Sequence, residues 1–337
     1  MFHPEEVIFA PTAQCNLHCA HCRVTRLPEE LDAGMAIAFL EDCQAAGIDR
    51  VGFSGGEPFL RPDFLGAVSE AAVGMGMLFD RLMTNGVWWK GEDELRSVLA
   101  SVFEAGFDGK IGVSVDSWHD QDREKLAAFF RLVFEIWGRK DCIEILSVKA
   151  PDETACMDKL RFLAAALGGE LLVEDGEPLS IADEARLRGR RDGQDDTETL
   201  FIDIIRFPYS AAGEVQPAGG AGPAPSWGDE DWFEDDFCEG PGNVLYVHPD
   251  GRVAVCCGFA NEAPALILGD LHKDNFESLM KKAEAKPQVR ACYEEGLGAS
   301  RKRLEARGVV FPGKTKDICL FCEWLCASKL IDEGKPD

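Results

Sequence analysis

The sequence predicts an α/β protein of parallel βα units, followed by a smaller, cysteine-rich α+β region. Three observations carry this prediction. Strand and helix patterns alternate through roughly the first two-thirds of the chain. Glycine- and cysteine-bearing motifs fall at the C-terminal ends of predicted strands. The thirteen cysteines divide into groups at 15–22 and 238–326, with Cys43, Cys142 and Cys156 between them.

Glu6 to Pro11 reads as the first strand. Met35, Phe39, Leu40 and Cys43 share one face of a helix that stops near Gly47. Arg50 to Ser54 is the second strand, and Pro62 to Val73 a helix with proline in its first turn. Leu78 to Met83 is the third strand, ending at Thr84-Asn85-Gly86. Glu92 to Ala105 is helical and Gly106 ends it. Ile111 to Val115 is a strand, Asp120 to Trp137 a long amphipathic helix, and Ile143 to Val148 the fifth strand. A helix over Asp152 to Leu167 and a sixth strand over Phe201 to Phe207 complete the alternation.

Residues 174–198 are charged and poorly periodic, which predicts a surface insertion. Residues 211–225, rich in Ala, Gly and Pro, read as a linker. Residues 229–239 are acidic with Trp232, Phe233 and Phe237 interleaved. They predict a loop whose aromatics dock on the α/β core, or else a lid over a substrate. At 337 residues the chain exceeds the usual size of one core. We expect a first domain over 1–210, a linker and acidic loop over 211–237, and a second domain over 238–337.

Composition excludes several classes. No apolar run of about 18 residues is present, so no membrane helix is expected. The N-terminus lacks a basic segment followed by an apolar one, which predicts a cytoplasmic protein. A formal charge of −25, from 60 acidic and 35 basic residues, argues against nucleic acid as a partner. Clustered cysteines in such a chain read as metal ligands rather than disulfides.

The most informative run is Cys15-Asn16-Leu17-His18-Cys19-Ala20-His21-Cys22, a C-x3-C-x2-C spacing. Three thiolates on one loop can hold three irons of a cubane and leave the fourth open, whereas clusters normally take four. Zinc is the competing reading, with His18 or His21 as a fourth ligand. About thirty residues on stands Val51-Gly52-Phe53-Ser54-Gly55-Gly56-Glu57-Pro58.

At these two motifs, in this order, the chain resembles the radical S-adenosylmethionine (radical SAM) superfamily. The resemblance implies a partial (β/α)6 TIM-like barrel over residues 1–210. It implies a [4Fe–4S] cluster on Cys15, Cys19 and Cys22, with SAM chelating the open iron. One electron, from a flavodoxin- or ferredoxin-type reductant, then cleaves SAM to methionine and a 5'-deoxyadenosyl radical that takes hydrogen from a substrate. His21 occupies the place of the residue that packs on adenine. Gly55, Gly56 and Glu57 inherit the contact with the methionine amino group, the glycines letting backbone approach SAM. Ser114 and Asp116 look like the fourth-strand residues that meet the ribose.

In the second cysteine group, Val244 to Val247 and Arg252 to Val255 alternate around Pro249-Asp250-Gly251. This is a hairpin signal that would draw Cys238 and Cys256 together. Cys319-x2-Cys322 and Cys326 follow. Alone, this set suits a zinc ribbon as well as a cubane. Its order resembles the twitch or SPASM extensions of radical SAM enzymes, which implies an auxiliary [4Fe–4S] cluster. The expected ligands are Cys238, Cys256, Cys319 and Cys322, with Cys257 able to replace Cys256 and Cys326 a further candidate. Counting Cys292, seven cysteines leave room for a second auxiliary cluster.

Cys156, just past the fifth strand, is a candidate hydrogen-atom donor, as is Cys326 if it is not a ligand. Trp118, His119, Lys149 and Arg206 lie near strand ends, where they could meet substrate. Thr84 and Asn85 sit at the end of the third strand. Trp88, Trp89, Cys43 and Cys142 read as core.

The expected function is oxidation or rearrangement of a small metabolite, with the auxiliary cluster accepting an electron. Only fourteen residues precede Cys15, too few for a fused leader-binding domain. Maturation of a ribosomal peptide is therefore the second reading, and a non-catalytic iron–sulfur or zinc protein the third.

Overall fold

The computed structural model describes residues 3–184, 199–207, 227–234, 243–258, 260–328 and 330. Its strands are β1 (Glu6–Phe9), β2 (Arg50–Phe53), β3 (Leu78–Thr84), β4 (Lys110–Ser114), β5 (Ile143–Val148), β6 (Glu170–Glu174), β7 (Glu177–Ala182), β8 (Phe201–Phe207), β9 (Val244–Val247), β10 (Arg252–Ala254) and β11 (Ile267–Asp270). They form one sheet in the order β11-β10-β9-β1-β2-β3-β4-β5-β8-β7-β6. Pairing is parallel from β9 through β8 and antiparallel at both ends.

Five helices cover one face: α1 (Ala33–Ala45), α2 (Pro62–Gly74), α3 (Glu92–Glu104), α4 (Arg123–Trp137) and α5 (Thr154–Leu167). This is the parallel-rich α/β architecture of a partial TIM-like barrel. Its core lies between sheet and helices, where Phe9, Phe53, Leu82, Val113 and Ile145 meet Leu40, Phe64 and Phe129. Each such side chain contributes about 1.5–3 kcal/mol on leaving water. Trp88 and Trp89 are buried as expected, Trp88 stacking on Phe59 with ring centroids 5.1 Å apart. Cys43 and Cys142 are also core.

Element ends follow from caps. α4 begins at Arg123, not Asp120, because the Asp122 carboxylate accepts from the Glu124 and Lys125 amides. β1 stops before Pro11, which has no amide hydrogen to give.

Three expectations change. Residues 174–198 are not simply a surface insertion: Glu177–Ala182 is β7, which joins β6 to β8, while 185–198 lie outside the described residues. The β9–β10 hairpin forms as expected, but β9 also pairs in parallel with β1, Glu6 opposite Val244 through Phe9 opposite Val247. Trp232 and Phe233 dock, though not on the barrel. Trp232 meets Phe311 and Trp227, and Phe233 meets Phe321 of the C-terminal helix Ile318–Ser328. Phe237 lies outside the described residues.

Charged side chains sit low in the barrel. Burial and the neighbouring Asp80 push the Glu6 carboxyl up to about 8, against the pull of Arg81. Arg81 also pairs with Glu144.

Candidate functional site

The strand β1 leads directly into the three-cysteine loop. There the Cys22 amide donates to the Cys19 carbonyl (3.1 Å), and the Leu17 amide reaches Cys15 Sγ (3.4 Å). Arg26 folds back over the loop, its guanidinium donating to the Ala13 and Leu17 carbonyls. Asn85 bridges from the end of β3: its Nδ2 lies 2.8 Å from Asn16 Oδ1 and 3.5 Å from Cys15 Sγ.

A cavity of about 160 Å3 opens under this loop. Cys15, Cys19 and Cys22 line it together with His21, Gly55, Gly56, Asn85, Ser114 and His119. Ser114, His21 and the two glycines therefore stand where the sequence puts them. Three cysteines on the wall of one cavity fit a cubane with one open iron.

The glycines also have a reason within the fold itself. A Cβ on Gly56 would stand 2.1 Å from the Gln14 carbonyl oxygen, and one on Gly55 2.7 Å from that of Thr12. The turn after β2 lies against the segment leading to Cys15, and the Gly56 and Glu57 amides donate to the Thr12 and Gln14 carbonyls. Absence of a side chain lets two backbones touch; it is this contact that sets the base of the loop.

Glu57 is corrected. Its side chain is wholly buried, and its carboxylate accepts from Thr84 Oγ1 (2.8 Å) and the Asn85 (2.8 Å) and Phe59 (3.2 Å) amides. Burial raises its pKa to about 7 despite these donors. It braces the β3 turn from behind and does not line the cavity.

The Asp116 carboxylate is buried as well. Only 1% exposed, it accepts on Oδ1 from the Trp118 and His119 amides and faces His119 Nδ1 at 2.8 Å. Its Oδ2 accepts from the Val148 amide at 3.3 Å. Its carboxylate is spent on the β4 loop, and His119 takes the place on the cavity wall. Burial opposes a charge on His119, but Asp116 and Cys19 outweigh it and raise the pKa to about 9. His21, whose ring lies 4.9 Å from that of His119, is pushed down to about 4 by burial and by His119. Ligand atoms of His21, Asp116 and His119 all lie within 4.8 Å, a spacing that suits a divalent metal.

A second cavity, of about 260 Å3, adjoins the first through His21, Cys22, Ser54 and Gly55. Its far wall comes from β9, β10 and the loop beyond: Tyr246, His248, Arg252, Cys257, Asn261 and Glu262. Of the C-terminal cysteines, Cys257 reaches this space.

Cys256 and Cys319 flank Gly258, whose Cβ would stand 3.9 and 3.4 Å from their sulfurs. Cys322 Sγ lies 3.6 Å from Cys292 Sγ and from Gln288 Nε2, and Cys326 also hydrogen-bonds it. Cys256, Cys319, Cys322 and Cys326 come together as expected, and Cys292 joins them. In the sequence Cys292 counts only toward a possible second auxiliary cluster, since it stands alone, thirty residues from Cys322, on a π-helical turn. Cys238 lies outside the described residues. Cys257 lines the larger cavity, and its thiol is felt by Cys256 on one side and by the Glu6 and Arg81 side chains on the other.

Cys156 stands apart from both cysteine groups. It lies on α5, behind the sheet, with Sγ 3.6 Å from Ser147 Oγ and 3.8 Å from the Val115 carbonyl. It is fully buried and lines neither of the two cavities above. Arg206 shares this layer, pairing with Glu153 (2.6 Å). Lys149 pairs with Glu177 (2.7 Å), and the Trp118 indole donates to the Lys149 carbonyl.

Comparison with known proteins agrees with this geometry. Residues 9–141 match the radical SAM superfamily, and residues 238–303 match the SPASM iron–sulfur cluster-binding domain. The chain is similar to a GTP 3',8-cyclase of Chlorobaculum tepidum, 31% identical over 37% of this chain and 36% of that protein. It is similar to a pre-heme d1 synthase of Dinoroseobacter shibae (36% identical; 33% and 26%). It is similar also to a PqqA peptide cyclase of Gluconobacter oxydans (31% identical; 32% and 34%). The match thus spans about a third of these relatives. In fold, the chain is similar to the crystal structure of Streptococcus suis SuiB (TM-score 0.54, 13% identity), over 94% of this chain and 77% of that one. A [4Fe–4S] cluster, SAM and auxiliary iron–sulfur clusters are the cofactors these domains imply. No helix among the described residues is long and apolar enough to cross a membrane. The chain carries a radical SAM domain joined to a SPASM iron–sulfur domain.

Proposed function

We propose that this protein is an oxidoreductase-type radical SAM enzyme acting on a small metabolite. The observation that carries the reading is the pair of adjoining cavities. One is walled by the three-cysteine loop, the other by β9, β10 and the segment beside the auxiliary cysteines. When bound, the clusters and SAM supply hydrogen-atom abstraction and an acceptor for the electron left on the substrate.

The chain's own residues do the rest. Cys15, Cys19 and Cys22 hold the first cluster. Cys256, Cys319 and Cys322, with Cys292 or Cys326, hold an auxiliary one. His21, Ser114 and His119 line the SAM side, and Asp116 orients His119 through its carboxylate. Glu57 keeps the Thr84–Gly86 turn closed against the loop, which limits access of water to the reacting atoms. A flavodoxin- or ferredoxin-type protein supplies the electron.

A cavity of about 260 Å3 favours a small metabolite. The similarity to a PqqA peptide cyclase favours a second reading, in which a single side chain of a peptide enters the same space. The test is 5'-deoxyadenosine formation by anaerobically reconstituted protein with dithionite and SAM, compared with Cys15→Ala/Cys19→Ala/Cys22→Ala. Formation by wild type alone supports the reading, and none from either protein refutes it. Deuterium transfer into deoxyadenosine from labelled metabolite or peptide pools would then separate the two substrate classes.

A further inference from the structure

Two residues that directly follow proposed cluster ligands meet each other. Arg23 follows Cys22, and Glu323 follows Cys322. Arg23 Nη1 stands 2.5 and 2.7 Å from the two Glu323 oxygens, with the side chains 14% and 17% exposed. The contact joins positions 300 residues apart in sequence.

A second tie lies beside it. Glu262, six residues after Cys256, accepts from the Thr25 amide (3.0 Å) and the Thr25 hydroxyl (2.5 Å). The segment leaving the three-cysteine loop is therefore fastened to both halves of the C-terminal cysteine group: through Glu262 to the β10 side, and through Glu323 to the C-terminal helix. Arg23 and Thr25 also line the larger cavity, so whatever moves them reshapes the wall beside Cys22.

We propose that Arg23 and Glu323 are a positioning pair that sets the SAM-cluster loop only when the C-terminal helix is docked, making SAM binding depend on assembly of the auxiliary site. The inference rests on the ligand assignments above. A mostly buried ion pair is costly to break from one side, because the remaining charge loses both partner and water. Its geometry is thus held, and with it the spacing between the two cysteine groups.

The test is a double-mutant cycle on anaerobically reconstituted full-length protein. Arg23→Gln, Glu323→Gln and the double variant are compared by iron per chain, SAM dissociation constant, and hydrogen exchange over residues 15–27. We expect each single variant to weaken SAM binding about tenfold and to speed exchange of the loop. The double variant should be no weaker than the singles, the mark of a coupled pair. Where Arg23→Gln fails to take up iron, Arg23→Lys, which keeps the charge and loses the planar fork, replaces it in the cycle. Single variants with full iron, unchanged affinity and unchanged exchange would overturn the proposal. So would losses that multiply in the double variant. Failure of the ligand assignment reads differently: wild-type protein would then hold about four irons with zinc rather than about eight.

Discussion

His119 Nδ1 stands 2.8 Å from Asp116 Oδ1, and this contact decides which of the two residues faces the cavity under the three-cysteine loop. Asp116 is locked beneath, and the imidazole lies above it beside His21. In cluster-free protein the pair stabilises the fold with a definite pH sign. His119 has its pKa raised from 6.5 to about 9, so its contribution is complete below about 6.5 and is lost as pH rises through about 9. Its size is at most about 3 kcal/mol. His119→Gln should flatten the fall in stability between pH 6.5 and 9 in denaturant titrations. A fall of unchanged depth would rule the pair out as its source.

Gly56→Ala should damage the first cluster site without touching a ligand. The new methyl must displace the Gln14 carbonyl, at a cost of about 2 kcal/mol or more. We expect about half the iron to be lost on reconstitution, with the C-terminal site still filled. Retention of full iron and a normal Tm would show that the turn has more room than the contact allows.

Cys292 and Cys257 make opposite predictions. Cys292→Ser should lower auxiliary iron by loss of one cubane, about four irons of eight, whereas Cys257→Ser should leave the count intact. Iron and sulfide analysis of the two variants decides it. Loss with Cys257→Ser and not with Cys292→Ser would reverse the assignment.

Glu6 gives a second pH signature. Its folded pKa, about 8 against an ordinary 4.5, means the native state holds a proton the unfolded chain releases. Stability should fall as pH rises from about 4.5 to about 8 and level off above. Glu6→Gln should stabilise the protein at pH 8.5 by about 2 kcal/mol and have little effect at pH 5. Equal effects at both pH values would show that Glu6 titrates normally.

The alternation of strands and helices was legible because short apolar runs between turn signals mark the central strands β2, β4 and β5, which are buried on both faces, while longer segments with one apolar face, such as α3 and α4, mark the helices. The proposed cluster loop was legible because its three cysteines stand close together at 15, 19 and 22. What could not be read depends on direction. Nothing in the run Ser114 to His119 says that the carboxylate turns inward and the imidazole outward. Nothing in Cys256-Cys257 says which sulfur faces Cys319. Cys292 was hidden by distance along the chain, and Cys156 by which face of α5 meets the sheet. The parallel pairing of β9 with β1 lies beyond any local pattern, since 234 residues separate Phe9 from asparagine at 243 and the intervening chain contains the whole barrel.

That pairing bears on how such proteins can be taken apart or recombined. A fragment ending near residue 210 would leave Val7 and Phe9 on a strand with one row of amides and carbonyls open to solvent, an invitation to pair with a neighbouring molecule. The strand that delivers the three cysteines would become the sticky edge of the fragment. An exchange of the C-terminal module with that of a relative must therefore carry β9 along in register, or the barrel it is grafted to will aggregate before it can be loaded with iron.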